Sequence, residues 1–241
     1  MKKLSEVLIA YLYPEEMNIY GDRGNVIALS KRLEWLGFKP VIQEVSVGDK
    51  FDFTKADIVF AGGGQDRGQL MVAEDLAKRK DNLKKAAESG VVMLTICGTY
   101  QLFGRGFTTI QEDKLPGVGI FDSYTTASNK RMIGNIVVQT AFGDLVGFEN
   151  HSGQTELSKN QKPLGRVKKG YGNNFYSSYE GAITNNVFGS YLHGPLLPKN
   201  PEFTDKLLML ALERKGQKAN FSGLNNSLEI KAAKVAIKRP K

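Results

Sequence analysis

The stretch VVMLTICGTYQLFG, residues 91–104, begins as a continuous apolar run and ends as a helical pattern, with Cys97 and Gly98 at the change. An uninterrupted apolar strand, rather than an alternating one, is the mark of a parallel sheet covered on both faces. The turn at its end raises the question of whether Cys97, the only cysteine of the chain, packs or reacts.

Upstream the same alternation repeats. VLIAYLY (7–13) reads as a strand. NVIALSKRLEWLG (25–37) reads as a helix with Val26, Ile27, Leu29, Leu33 and Leu36 roughly on one face and Gly37 as its stop. VIQEVSV (41–47) and DIVFAGGG (57–64) read as strands, and a helix is predicted from about Asp66 to Glu88, ended by Ser89–Gly90. Strands separated by helices in this way predict an α/β fold with a mostly parallel central sheet and helices on both faces.

Downstream the runs shorten. IVVQT (136–140), LVGFEN (145–150), GAITNN (181–186) and VFGSYL (187–192) read as antiparallel or mixed strands at one edge of the sheet. A helix over about 201–215 opens on Pro201 and closes near Gly216, and residues 226–241 read as an amphipathic helix with a basic tail. With no internal repeat or low-complexity linker, one domain spanning 1–241 is expected.

Composition bounds the function classes. A chain of 241 residues, 41% hydrophobic and 24% charged, can bury a sizeable core. MKKLSEVLIAYLYPEE has no small-residue cleavage site and breaks at Pro14, so it reads as the first strand rather than a signal peptide. No apolar run approaches the ~20 residues needed to span a bilayer. A lone cysteine excludes an internal disulfide and fits a reducing cytoplasm. The net charge of +8 is scattered, and no aromatic RNA-binding signature accompanies it, so solvated faces rather than a nucleic-acid site are expected.

In open α/β sheets ligands bind beyond the carboxyl ends of the strands, which directs attention to IYGDRGN (19–25), AGGGQDRGQ (61–69) and TICGTYQ (95–101). The first lacks the Rossmann spacing and none ends as a phosphate loop, so no nucleotide cofactor and no metal is expected. Gly62, Gly63 and Gly64 read either as backbone donors of an oxyanion hole or as a tight turn needing positive φ. Cys97 has the setting of a nucleophile elbow, where the following helix favours thiolate and the next N–H, on Gly98, faces an oxyanion. The alternative is a buried cysteine acting as a small hydrophobe. A base would be His151 in FENHSG or His193 in SYLHGP. His193 is preferred, because it ends a short apolar strand and precedes a Gly-Pro turn.

Seven segments carry a family resemblance in constant order: MNIYGDRGN (17–25), AGGGQDR (61–67), LTICGTYQ (94–101), RMIGNIVV (131–138), GFENHSGQT (147–155), GYGNN (170–174) and GSYLHGPLLPKN (189–200). Together they resemble the class I, triad-type glutamine amidotransferases of the cobyric-acid-synthase-like branch, and within it the glutaminase subunits of lipid II isoglutaminyl synthases. The resemblance implies that Cys97 attacks the side-chain amide of glutamine and that His193 protonates departing ammonia and then activates water. It implies that Gly62, Gly63, Gly64 and Gly98 hold the oxyanion and that Arg131 engages the substrate, through its α-carboxylate. It further implies no cofactor and a heterodimer with a MurT-like ATP-dependent ligase that amidates the D-glutamate of lipid II. The complex would be cytoplasmic, acting at the inner face of the membrane in peptidoglycan synthesis. Rival readings are an amidotransferase subunit of another pathway, such as cobalamin synthesis, and a non-catalytic subunit that keeps the fold.

One position departs from the family. Most class I members carry a glutamate two residues after the histidine, and here Pro195 stands there. A carboxylate supplied by the partner is the favoured expectation, with Asp22 and Glu149 as candidates inside the chain. Residues 152–180, read as a loop region, and 227–239 are candidate partner contacts.

Overall fold

Continuous apolar runs are fully buried only when both faces of a sheet are covered, and the first hundred residues fold that way. The structure, a computed structural model, describes residues 4–64 and 66–239; Met1 to Lys3, Gln65 and the last two residues of the predicted basic tail, Pro240 and Lys241, lie outside them. Chain order begins β1 (Glu6–Leu12), α1 (Arg23–Trp35), β2 (Lys39–Val45), β3 (Ile58–Ala61), α2 (Asp66–Glu88), β4 (Val92–Ile96) and α3 (Gly98–Phe103). Short strands follow: β5 (Gly106–Thr108), β6 (Lys114–Pro116), β7 (Ser123–Thr126), β8 (Met132–Thr140), β9 (Gly143–His151), β10 (Gln154–Leu157), β11 (Gly165–Lys169), β12 (Tyr179–Glu180), β13 (Ala182–Thr184) and β14 (Val187–Ser190). Helices α4 (Pro201–Arg214) and α5 (Ser227–Lys238) complete it.

The central sheet has six strands in the order β13-β14-β4-β3-β1-β2. Every neighbouring pair is parallel except β13 with β14. All residues of β3, β4 and β14 are buried, while β2 at the edge is largely open. Val26, Leu29 and Leu33 of α1 pack into the core, whereas Ile27 is 54% exposed. Ile27 sits ~100° round the helix from Val26, off the buried stripe. The helix ends as its sequence requires: Gly37 adopts φ +82, and the Phe38 N–H donates to the Leu33 carbonyl at 2.9 Å.

The second half is richer than one antiparallel edge. Only β13 and β14 join the central sheet; the others build two four-stranded sheets, β10-β7-β5-β6 and β12-β11-β8-β9. The stretch 152–180 therefore contains paired strands, not one loop. Helix α5 buries none of its residues and is tied down by polar contacts, such as Asn135 Nδ2 donating to the Arg239 carbonyl at 2.7 Å.

This topology places the site. β14, β4, β3 and β1 are consecutive parallel strands, so the segments after them emerge side by side at one edge, at strand spacings of ~4.8 Å. Those segments carry His193, Cys97, the triple glycine and Asp22 in that order.

Candidate active site

Cys97 is the junction between β4 and α3, and its backbone is held at φ +53, ψ −107. A non-glycine residue there costs ~1–3 kcal/mol and persists only where its surroundings enforce it. Here they do. Its N–H donates to the Ser190 carbonyl of the adjacent strand at 2.8 Å, and its carbonyl accepts from Gln101 N–H at 3.0 Å. The Thr99 hydroxyl accepts from Ile96 N–H (3.1 Å) and lies within donating distance of the Ala61 and Gly62 carbonyls (2.9 and 2.8 Å). One side chain thus pins the elbow to the glycine loop. Cys97 is buried, with 9% of the residue exposed, at the edge where the core meets the glycine loop.

His193 follows β14 and is anchored through its backbone to β9: its N–H donates to the Phe148 carbonyl (2.8 Å) and its carbonyl accepts from Phe148 N–H (3.2 Å). Its Nδ1 lies 3.4 Å from Asp22 Oδ1, with both side chains fully buried. Burial alone would push the imidazole down, but the adjacent Cys97 and the Asp22 carboxylate outweigh it and raise His193 to about 10. Asp22 is fixed in turn, because its Oδ2 accepts from Gly63 N–H at 2.7 Å. Glu149, the other in-chain candidate, accepts from the Tyr171 and Gly172 N–H groups at 2.8 and 2.9 Å. An in-chain carboxylate thus occupies the place expected of a partner residue.

The triple glycine is required for close approach, since none of the three adopts positive φ. A Cβ on Gly63 would lie 2.6 Å from His193 Cε1 and 3.1 Å from Cys97 Cβ. A Cβ on Gly62 would meet the Met17 carbonyl at 2.3 Å, and one on Gly64 the Met17 sulfur at 2.2 Å. The oxyanion expectation needs one correction. The Gly63 N–H is committed to Asp22 and is not an oxyanion donor.

Residues 8–201 match the CobB/CobQ-like glutamine amidotransferase domain. The chain belongs to that family. Within it the chain is 42% identical over 237 residues to the lipid II isoglutaminyl synthase (glutamine-hydrolyzing) subunit GatD of Staphylococcus aureus (strain N315), covering 98% of this chain and 97% of that protein. It is 41% identical over 210 residues to the subunit of the same name from Streptococcus pneumoniae (strain ATCC BAA-255 / R6), covering 86% and 81%. A crystal structure of a glutamine amidotransferase superposes with a TM-score of 0.57 at 14% identity, covering 84% of this chain and 98% of that one, and so shares the fold. The amidotransferase groups with the GatD subunits and is an enzyme subunit. Among its described residues no helix is long and apolar enough to cross a membrane.

Arg131 of this amidotransferase is exposed just before β8, with Nε and Nη2 donating to Asn150 Oδ1 at 3.1 and 2.9 Å. Its partner Asn150 lies two residues along β9 from Phe148, whose backbone pairs with that of His193. The two histidines have diverged. His151 stacks on the Tyr191 ring at 3.5 Å and 5°, and its Nδ1 donates to the Gly153 carbonyl at 3.0 Å. Burial pushes it down to about 3, so it is neutral and structural near pH 7.

This depression has a measurable consequence for the amidotransferase. A histidine held below its ordinary 6.5 contributes stability that is complete above that value and is lost as pH falls toward about 3. The loss should reach about 2 kcal/mol by pH 5. Urea unfolding at pH 7 and pH 5 should show this fall in the native chain and a flatter dependence in His151→Gln. Equal slopes would exclude His151 as its source.

Sequence reading did not single out Thr99 or Ser190. Both lie inside quoted segments, but a hydroxyl or carbonyl that bridges separate strand ends has no local signature.

Proposed function

We propose that this chain is the glutaminase subunit of a lipid II isoglutaminyl synthase. It hydrolyses L-glutamine to glutamate and passes the ammonia to a MurT-like ATP-dependent ligase, which amidates the α-carboxylate of the stem-peptide D-glutamate. The observation that carries the chemistry is the convergence of a φ-strained Cys97 with the buried His193–Asp22 pair at the ends of adjacent parallel strands. The identity to GatD subunits over 97% and 81% of their lengths supports the pathway.

Cys97 sulfur, as thiolate beside the His193 imidazolium, attacks Cδ of glutamine and the carbonyl electrons move onto oxygen. N–H groups of Gly62, Gly64 and Gly98 receive that oxyanion, while the missing side chain of Gly63 leaves room for Cys97 and His193. The imidazolium gives its proton to the amide nitrogen as the C–N bond breaks, leaving ammonia and a glutamyl thioester. The neutral imidazole then takes a proton from water, whose oxygen attacks the thioester. Collapse releases glutamate and restores the thiolate–imidazolium pair. Asp22 orients His193 through Nδ1 and balances its charge, and Arg131 takes the α-carboxylate of glutamine.

Supplying the chain and its ligase with [amide-15N]glutamine, ATP and lipid II should place 15N in the D-isoglutamine of the product. A ligase that amidates lipid II from free ammonium but gains nothing from glutamine and this chain would overturn the reading.

A further inference from the structure

His193 begins a turn whose next two carbonyls face one ammonium. Lys199, ending the short 3-10 helix Leu197–Lys199 before α4, donates from Nζ to the Gly194 carbonyl and, at 2.7 Å, to the Pro195 carbonyl. The turn needs such a clamp, because Gly194 adopts φ +79 and Pro195 has no N–H with which to tie the chain back. From the other side the Pro195 ring packs so closely on Gly24 that a Cβ there would lie 2.4 Å from its Cγ. The histidine is therefore held by the Phe148 backbone before the turn and by Lys199 after it.

The ammonium is held by carbonyls rather than by a carboxylate. Burial pushes Lys199 down to about 8, opposed by the charge of Asp22. Asp22, whose charge reaches Lys199, also lies against His193 Nδ1. Lys199 shares the lining of a cavity of about 610 Å³ with Phe148, Gly194 and two further cations, Lys231 of α5 and Arg239 just past its end. No carboxylate is among the described residues of that lining.

We propose that Lys199 is a positioning residue of the Cys97–His193 site: its ammonium fixes the His193–Gly194–Pro195 turn and sets a positive charge on the Asp22 side of the imidazole. The inference rests on the Cys–His reading given above. A cation beside the His193 turn favours negative charge in the site, including that which the Cys97 sulfur carries as it attacks. It acts through His193 without touching substrate, and its effect falls on kcat rather than KM.

Because Cys97 is the only cysteine, the pH dependence of its alkylation by iodoacetamide reads the pair without requiring turnover. Lys199→Met should move the alkylation midpoint upward by about half a pH unit or more. It should also lower kcat, assayed with the ligase present, by about tenfold with KM unchanged. Lys199→Arg should restore both, and Lys199→Gln, which keeps a donor but drops the charge, should retain the shifted midpoint. Near-UV circular dichroism checks folding, and if Lys199→Met does not fold, the Gln variant supplies the same midpoint. A folded variant with a native midpoint and native kcat overturns the proposal. An unassisted thiol profile together with absent turnover in the native chain would instead sink the Cys–His reading itself.

Discussion

Replacing Cys97 by alanine should reduce glutamine hydrolysis by at least about 10⁴-fold while leaving the fold intact. The chain has one thiol, so no other atom of it can form a glutamyl thioester. The structural cost is small, because alanine keeps the Cβ that packs beside Gly63 and removes a single atom. The strain at φ +53 remains with alanine, so stability should change by no more than about 1 kcal/mol. His193→Ala should lose activity to a similar extent, since residues that act as a unit are not additive. Unlike Cys97→Ala, it should leave a cysteine that iodoacetamide still modifies, at a rate reduced below neutral pH. The measurements are glutamate release and the mass of the alkylated chain. Turnover of Cys97→Ala within tenfold of the native chain would rule out a covalent cysteine mechanism.

Much of this site was legible because local sequence carries local geometry. The apolar run 91–96 followed by Cys97–Gly98 specified a buried parallel strand and its turn, and α2 occupies the predicted 66–88 span. Both histidines sit at strand ends, and only the Gly-Pro turn after His193 set it apart from His151 in the sequence; tertiary burial is what makes His151 neutral. The two additional sheets were not legible, because short strands broken by Gly, Asn and Ser do not encode their partners. Nor was the loss of Gly63 as an oxyanion donor, which follows from a hydrogen bond to a residue 41 positions away. Asp22 was visible only as one of two carboxylates. It sits 171 residues from His193, and their meeting depends on β1, β3, β4 and β14 lying in that order.

That meeting is tested by Asp22→Asn, which should lower kcat by roughly 10²–10⁴-fold with little change in KM. Asparagine is the informative choice because its Oδ1 can still accept from Gly63 N–H, whereas alanine would leave that donor buried and unpaired at about 1–3 kcal/mol. The variant removes a negative charge that helps hold His193 near 10, so the imidazolium should be lost at lower pH and the alkaline limb of kcat/KM should move down. A purely structural lesion would lower activity evenly across pH and would not move that limb. The assay belongs in the presence of the ligase, because Pro195 occupies the place where most of the class carries an acid. At 3.4 Å the Asp22–His193 contact is longer than a charge-assisted hydrogen bond, which leaves room for a second carboxylate to compete for Nδ1. Near-native turnover of Asp22→Asn in the complex, with its alkaline limb in place, would assign the orienting role to the ligase and make hydrolysis conditional on assembly. A deep loss with a displaced limb would make the Cys97–His193–Asp22 set complete within this chain, so that glutamine hydrolysis would have to be restrained by something other than a missing carboxylate when the ligase is absent.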